Sequence, residues 1–323
     1  MSQILVIGSL NADLVVRTPR FPQPSETISG DDLQMIPGGK GANQAVGAAL
    51  LGANVSMLGR VGNDNFGDFL LNNLKQNKVD STLVQRDDAS TGTAIVVVDS
   101  NGQNSIVLST GANGKVTPAD VERASFSAFS LLLLQLEIPT PTVLRAAQRA
   151  KENNMRVILN PAPAQQLPDE LISLADFIIP NETELSLLTG SKVKDIASTE
   201  QAARTLLKRG AQHVIVTLGS NGALIVSGKQ GNTYTSTYVE AYPVNVVDTT
   251  AAGDAFIGGF ATKLLESDSS LHSQGVLSNM QEQALALQEA VRFGCACGAL
   301  ATTKFGAQPS LPTKEDVEKF INS

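Results

Sequence analysis

"SLLLLQLEIPTPTVLRAAQRAKENNMRVILNPA" (Ser130–Ala162) decides the architecture. Its two ends, SLLLLQLE and RVILNPA, are short runs of branched apolar residues. A strand with one wet face alternates apolar and polar residues; a strand apolar on both faces is a parallel one, covered by helices on either side. Between the runs, Pro141–Asn153 reads as a helix. The same alternation extends in both directions. QILVIGS from Gln3, NVSMLGRVG from Asn54, DFIIPNE from Asp176 and HVIVTLGS from His213 read as strands, and residues 41–51, 66–77, 182–188 and 199–209 as helices. Strand–helix alternation over most of 1–323 predicts one α/β unit: a doubly wound, mostly parallel central sheet with helices on both faces.

Two stretches break the rhythm. Residues 12–37 contain LVVRTPRFPQPSETISG, too rich in proline for a helix, and residues 91–112 include a hairpin pattern with Asn101-Gly102 at its turn. Two β-rich insertions predict a small separate sheet. It would serve as a lid over the strand ends, as a pairing surface for another subunit, or as plain surface structure. Glu266–Gly275 (ESDSSLHSQG) reads as a loop. The segment from Asn279 is helical, with apolar residues on most faces of its second half, so that half should be buried.

Bulk properties narrow the function. The formal net charge is −7 and no long basic block occurs, which argues against nucleic acid as the main partner. The only histidines are His213, opening a strand, and His272, in a polar stretch, so a zinc site or a Ser-His-Asp triad lacks parts. Cys295 and Cys297 point apart on a helix, which suits two small core residues rather than a mutual disulfide. The opening MSQILVIGSLNAD has no basic stretch before an apolar core, and no segment approaches the ~20 apolar residues of a membrane span. A cytoplasmic location with no membrane partner is the expectation.

The common nucleotide motifs fail. A Walker loop around Gly39-Lys40 would need glycine at Gln34 and Ser or Thr at Gly41. A dinucleotide fingerprint from Gly39 and Gly41 would need glycine at Gln44, and it lies far from the first strand. Neither histidine begins a protein-kinase His-Arg-Asp.

Two glycine-rich loops remain. In PGGKGANQAVGAALLG (from Pro37), Gly38, Gly39 and Gly41 let a ligand approach the backbone, while Lys40 and Asn43 offer a cation and a two-way amide, which suits a polyhydroxy ligand. A tight turn before a helix would also use these glycines. In TTAAGDAFIGGF (Thr249–Phe260), Thr249 or Thr250 could cap a helix starting near Ala251. The N–H groups of Ala251, Ala252 and Gly253 would then point outward at the positive end of the helix dipole, a site for phosphoryl charge. Asp254 beside them could accept the proton of an attacking hydroxyl, or merely complement the dipole. Gly258 and Gly259 weaken a helix, so close packing against a neighbour or ligand is expected.

GSLNAD (Gly8–Asp13), PGGKGANQA (Pro37–Ala45), LQLEIP (Leu134–Pro139), PNETE (Pro180–Glu184), VTLGSNG (Val216–Gly222), DTTAAGDAF (Asp248–Phe256) and KFGAQPSLP (Lys304–Pro312) resemble, in that order, segments of the ribokinase-like (pfkB) family of carbohydrate and nucleoside kinases. They span nearly the whole chain. The resemblance implies transfer of phosphate from ATP to O5 of D-ribose, with 2-deoxyribose, fructose or adenosine as alternative acceptors. A sugar- or nucleotide-sensing protein on the same scaffold is a further alternative. It implies a sugar pocket of Asn11, Ala12, Asp13, Gly39, Lys40, Gly41, Ala42, Asn43 and Glu137, with Asp254 as base and Ala251, Ala252 and Gly253 as anion hole. Asn181 and Glu184 would lie near the ATP phosphates and Mg²⁺, Glu184 acting on the metal indirectly. Thr217, Leu218, Gly219, Ser220, Asn221, Gly222 and Cys295 would border the nucleotide. A K⁺ ion would be held by Asp248, Thr250, Ala301, Lys304, Gly306 and Ser310, the lysine through its main chain only. The family's β lid implies a homodimer through that lid. Apart from the resemblance, Asn181 and Glu184 also have the spacing of a helix cap.

Overall fold

The computed structural model describes residues 3–229, 233–273 and 280–322. Its strands are β1 (Gln3–Ile7), β2 (Asn11–Arg17), β3 (Gln34–Gly38), β4 (Asn54–Gly62), β5 (Asp80–Asp87), β6 (Gly92–Val98), β7 (Asn104–Ser109), β8 (Leu131–Leu134), β9 (Arg156–Leu159), β10 (Phe177–Ile178), β11 (His213–Thr217), β12 (Ala223–Lys229) and β13 (Thr233–Val239). Nine of them form one sheet in the order β13-β12-β11-β10-β9-β8-β1-β4-β5. Ladders from β5 to β11 are parallel, and β12 and β13 add antiparallel to the far edge.

The run LLLL of β8 shows why the apolar reading works. Leu131 and Leu133 belong to one buried core, Leu132 and Leu134 to the other; Ile4 and Val6 of β1 part from Leu5 and Ile7 in the same way. Successive side chains point to opposite faces, and helices cover both. On one side lie α1 (Lys40–Leu50), α2 (Asn65–Gln76), α8 (Ala252–Ser273), α9 (Met280–Ala301) and α10 (Lys314–Ile321). On the other lie α3 (Pro118–Val121), α4 (Thr140–Glu152), α5 (Asp169–Leu174), α6 (Glu182–Thr189) and α7 (Ile196–Lys208). The expected doubly wound, mostly parallel sheet is present.

The remaining strands make a second sheet, ordered β3-β2-β6-β7. The hairpin β6–β7 turns at residues 99–103, with Gly102 in the left-handed region (φ 76°). β7 is exposed along its whole length.

Two expectations need correction. Residues 266–273 are not a loop: α8 continues to Ser273, because extending an already packed helix costs little even through Asp and Ser. Residues 274–279 lie outside the described residues. The membrane estimate also changes, since Gln281–Ala301 is long and apolar enough by composition to cross a bilayer. Its C-terminal half packs into the core, as the helix of a folded domain does.

The costly glycines of α8 answer to neighbouring helices. A Cβ at Gly258 would stand 2.9 Å from the backbone nitrogen of Ala48 in α1, and one at Gly259 would stand 2.6 Å from the Cys297 sulfur in α9. Cys297 fills that notch and is fully buried. Close backbone approach here sets where the first turn of α8 meets α1.

Candidate active site

The chain leaves β1 for β4 and β5 on one side and returns through β8 on the other. Such a switch point opens a crevice beyond the strand ends, where ligands bind in open α/β sheets. A cleft of about 960 Å³ lies here, walled on one side by the small sheet. Asn11, Asp13, Gly39, Lys40, Asn43, Glu137, Ala251 and Asp254 line it together, as do Asp248, Thr250 and Gly306.

Strand alternation sorts the β2 residues. Asn11 and Asp13 face the cleft; Ala12 takes the other face and is fully buried. The Asn113 amide donates to Asn11 Oδ1 (2.7 Å) and to the Leu10 carbonyl (3.0 Å), while its own oxygen accepts from Leu10 N–H (2.9 Å). Asn11 is thus oriented before any ligand arrives. Gly39 enters α1 at φ 88°, and a Cβ there would stand 2.7 Å from the Asn11 nitrogen, so glycine is required. Beyond it, the N–H of Lys40 and the hydroxyl of Ser9 both donate to Glu137 Oε2 (3.0 and 2.5 Å). Ser9 also accepts from Gly41 N–H through Oγ (3.3 Å) and from Ala42 N–H through its carbonyl (2.9 Å). Gly41 and Ala42 are therefore buried scaffold.

Three carboxylates act on the Lys40 ammonium. Burial works against the charge of Lys40, but Asp254, Glu137 and Glu184 outweigh it and hold its pKa above the ordinary lysine value. Asp13 goes the other way: burial, then the negative charges of Glu137 and Asp254, push its pKa up to about 7.

Asp254 is 5% exposed and carries one amide donor on each oxygen: Asn43 Nδ2 on Oδ2 (2.9 Å) and Gln44 Nε2 on Oδ1 (3.0 Å). The expected threonine cap of α8 is absent, because Thr250 gives both its N–H and its hydroxyl to Asp248 Oδ1 (2.9 and 2.7 Å). An Asx-type turn then competes with capping. Ala251 adopts a left-handed conformation (φ 59°), unusual for a residue with a Cβ. The N–H of Ala252 turns back to the Thr249 carbonyl at 3.3 Å, so it is not one of the open donors in this conformation. Gly253 is exposed, with nothing within 4 Å of where a Cβ would sit.

Asn181 and Glu184 form a full reciprocal cap at the start of α6. Asn181 Oδ1 accepts from Glu184 N–H (2.8 Å), and the Glu184 carboxylate accepts from Asn181 N–H (2.9 Å) and Nδ2 (3.0 Å). Burial pushes the Glu184 pKa up against the Asn181 N–H and Lys40. A β-bridge sets Asn181 beside Thr217. Leu218 to Gly222 follow as a single 3₁₀ turn, closed by Leu218 N–H on the Gly222 carbonyl (2.8 Å), with Gly219, Ser220 and Asn221 exposed. Cys295 stands apart in the core of α9, where burial pushes its thiol up to about 12.

Asp248 Oδ2 accepts Gly306 N–H (2.9 Å), and the N–H of Val247 reaches the Thr302 carbonyl (2.7 Å). These bonds draw residues 247–250 against 301–306. Burial raises the Asp248 pKa less than Gly306 and Thr250 lower it, leaving it below the ordinary carboxylate range. Ser310 is buried, its hydroxyl on the Ala307 carbonyl. Lys304 is exposed.

Ser9, Gln44, Asn113, Gln135 and Asn160 escaped the sequence reading. All but Asn113 lay inside quoted stretches, Gln44 serving only to exclude a dinucleotide fingerprint; none carries a spacing signal, and only the fold brings them here.

Comparison with known proteins agrees with this geometry. Residues 1–314 match the pfkB family of carbohydrate kinases. A ribokinase from Haemophilus influenzae is 41% identical over 98% of this chain and 98% of its own. A deoxyribokinase from Salmonella typhi is 37% identical over 99% of this chain and 98% of its own. The structure of Arabidopsis thaliana ribokinase complexed with ribose and ATP superposes with a TM-score of 0.86, at 33% identity, covering 100% of both chains. The chain belongs to the pfkB family of carbohydrate kinases, enzymes that phosphorylate sugars with ATP.

Proposed function

We propose that the chain transfers the γ-phosphoryl group of ATP to O5 of D-ribose, giving D-ribose 5-phosphate and ADP. One observation carries this: a buried carboxylate, Asp254, shares a cleft with a set of hydroxyl-binding groups and adjoins a left-handed turn that exposes backbone at residues 251–253. Asn11, Asp13, Lys40, Asn43 and Glu137 would hold the sugar hydroxyls, with Gly39, Gly41 and Ala42 shaping that wall and Ala12 fixing β2 from behind. Asp254 would take the O5 proton as the O5 lone pair bonds to the γ-phosphorus. The bond from phosphorus to the bridging oxygen then breaks, and its electrons leave with the β-phosphate of ADP. The N–H groups of Ala251 and Gly253 would meet the equatorial oxygens. That of Ala252 joins them when its long bond to Thr249 yields.

The nucleotide would lie along residues 217–222, with its phosphates toward Asn181 and Glu184. Among the described residues no cluster of three or more His, Cys, Asp or Glu could hold a metal. This fits Mg²⁺ carried on phosphate oxygens and water rather than in a protein cage, Glu184 reaching it through water. When bound, it neutralises phosphate charge. Oxygen donors with a single anion, Asp248, suit K⁺: the carbonyls of Thr250, Ala301, Lys304 and Gly306, with Ser310 beneath. That ion would supply fixed positive charge behind the turn at 248–251. The small sheet would act as a lid, and its exposed Ile95, Ile106, Val107 and Leu108 would pair two copies into a homodimer. Sedimentation that stays monomeric at micromolar concentration counts against the dimer. We place the reaction in the cytoplasm.

A second acceptor, 2-deoxyribose, is favoured by the deoxyribokinase relative, which matches over the whole chain. ADP release measured across pentoses, hexoses and nucleosides, with and without K⁺, separates the two. In Asp254→Asn, turnover should fall roughly 10²–10⁴-fold while ribose still binds. Near-normal turnover would remove the base assignment.

A further inference from the structure

Behind Asp254 lies a chain of buried amides that the reaction as written does not use. Gln44 and Gln135 are fully buried and Asn160 is 8% exposed. The direction of the chain is set at one end. The carbonyl of Ile179 can only accept, and Asn160 Nδ2 donates to it (3.0 Å). The oxygen of Asn160 therefore faces Gln44, whose Nε2 lies 3.3 Å from it and 3.0 Å from Asp254 Oδ1. Gln44 Oε1 in turn accepts from Gln135 Nε2 (2.6 Å). Turning the Gln44 amide over would set its oxygen against a carboxylate and its nitrogen against another N–H. Gln135 has room because Gly8 has no side chain: a Cβ there would stand 2.1 Å from Gln135 Oε1, which has no partner of its own.

From this geometry we infer that Gln44 is a positioning residue for the proton acceptor. Clamped by Gln135 and Asn160, it fixes one oxygen of Asp254 while Asn43 fixes the other. Each oxygen keeps one acceptor site for an approaching hydroxyl. The inference rests on the phosphotransfer reading above. Two neutral donors also favour the charged carboxylate. Lys40 attracts that charge, whereas Glu184 and Asp13 oppose it.

The test is Gln44→Leu, with Gln135→Met as the variant one step removed. Active sites are counted by calorimetric ribose binding, so that misfolded protein does not enter kcat. Gln44→Leu should lose about 10²-fold in kcat, the scale for misplacing a reacting group by about 1 Å. The KM values for ribose and ATP should change little. Gln135→Met should show smaller changes of the same sign, and the double variant should be no slower than Gln44→Leu alone. Unchanged kcat per ribose-binding site overturns the inference; a packing role would lower only stability. If Gln44→Leu does not fold, Gln135→Met decides by the same split between kcat and KM. A wild type silent on ribose but active on another acceptor moves the assay to that acceptor. A wild type silent on all acceptors overturns the kinase reading instead. Gln44 is then judged by crystallography of Gln44→Leu, in which an unmoved Asp254 carboxylate refutes it and a rotated one supports it.

Discussion

Asp13→Asn should make the protein more stable while removing its grip on sugar. The native pKa of Asp13 is about 7 against an ordinary 3.8, raised by burial and then by Glu137 and Asp254. A raised acid binds its proton more tightly in the folded state. Between pH 4 and 7 the unfolded chain ionises this group while the native protein keeps the proton, so stability falls with rising pH across that window and levels off above it. Three pKa units at ~1.4 kcal/mol each give about 4 kcal/mol as the upper bound, and solvent reaching the cleft reduces it to about 2–4 kcal/mol. Asparagine carries no such penalty, and no side-chain hydrogen bond to Asp13 would be lost among the described residues. Urea unfolding at pH 5, 6, 7 and 8 should show the variant and wild type converging at the acid end. They should separate by about 2–4 kcal/mol at pH 8. Ribose should protect only the wild type. A difference that stays flat across this range, or a variant less stable at pH 8, would refute the burial-and-repulsion account.

Ribose binding without nucleotide should weaken about 10-fold from pH 8 to pH 6, because an Asp13 protonated below about 7 loses its charge and turns one acceptor oxygen into a donor; a flat calorimetric titration counts against this. Gly259→Ala should destabilise by about 1–3 kcal/mol through its contact with the Cys297 sulfur, and Cys297→Ala in that background should recover most of it. Additive losses in chemical denaturation would show that the notch is not the cause. Chelating divalent ions should abolish ATP binding and spare ribose binding; equal binding with and without EDTA, read by calorimetry, contradicts the assigned place of Mg²⁺.

The fold was legible where burial is two-sided. The runs at Gln3, Asn54, Ser130, Arg156, Asp176 and His213 all became strands of the main sheet because each must be apolar on both faces. β5 (DSTLVQRD) and β13 (TYTSTYV) escaped because they sit at the sheet's edges, mostly exposed or half-buried and rich in polar groups. β12 (ALIVSGK) had the apolar run and was missed all the same; its signal was Gly222 just before it. In the candidate site, Gly39, Lys40, Asn43 and residues 251–254 stand in glycine-rich motifs and could be named in advance. Residues that meet those residues could not. Asn113 and Gln135 lie 102 and 91 positions from the side chains they orient, and no local spacing encodes such pairing. The threonine cap failed for a related reason: Thr249 and Thr250 have the chemistry, but Asp248 had already taken Thr250 for its own turn.

The charge pattern of the cleft explains why the phosphoryl end should be built from backbone. Asp13, Glu137 and Asp254 share this wall of the cleft with Lys40, so it stays negative even with Asp13 half-protonated near neutral pH. Carboxylates suit sugar hydroxyls, which donate to them, and one of them must be free to take a proton. They repel a polyphosphate. A second lysine beside Asp254 would pair with it and lower its basicity. Backbone amides at the mouth of α8 supply positive potential with no titratable group and no flexible side chain to collapse onto the acid. The left-handed turn at Ala251 and the open space over Gly253 are what such a solution requires of the chain, and strain at a residue with a Cβ is tolerable only where the neighbouring structure holds it. Here the bonds from Thr250 and Gly306 to Asp248 do that holding.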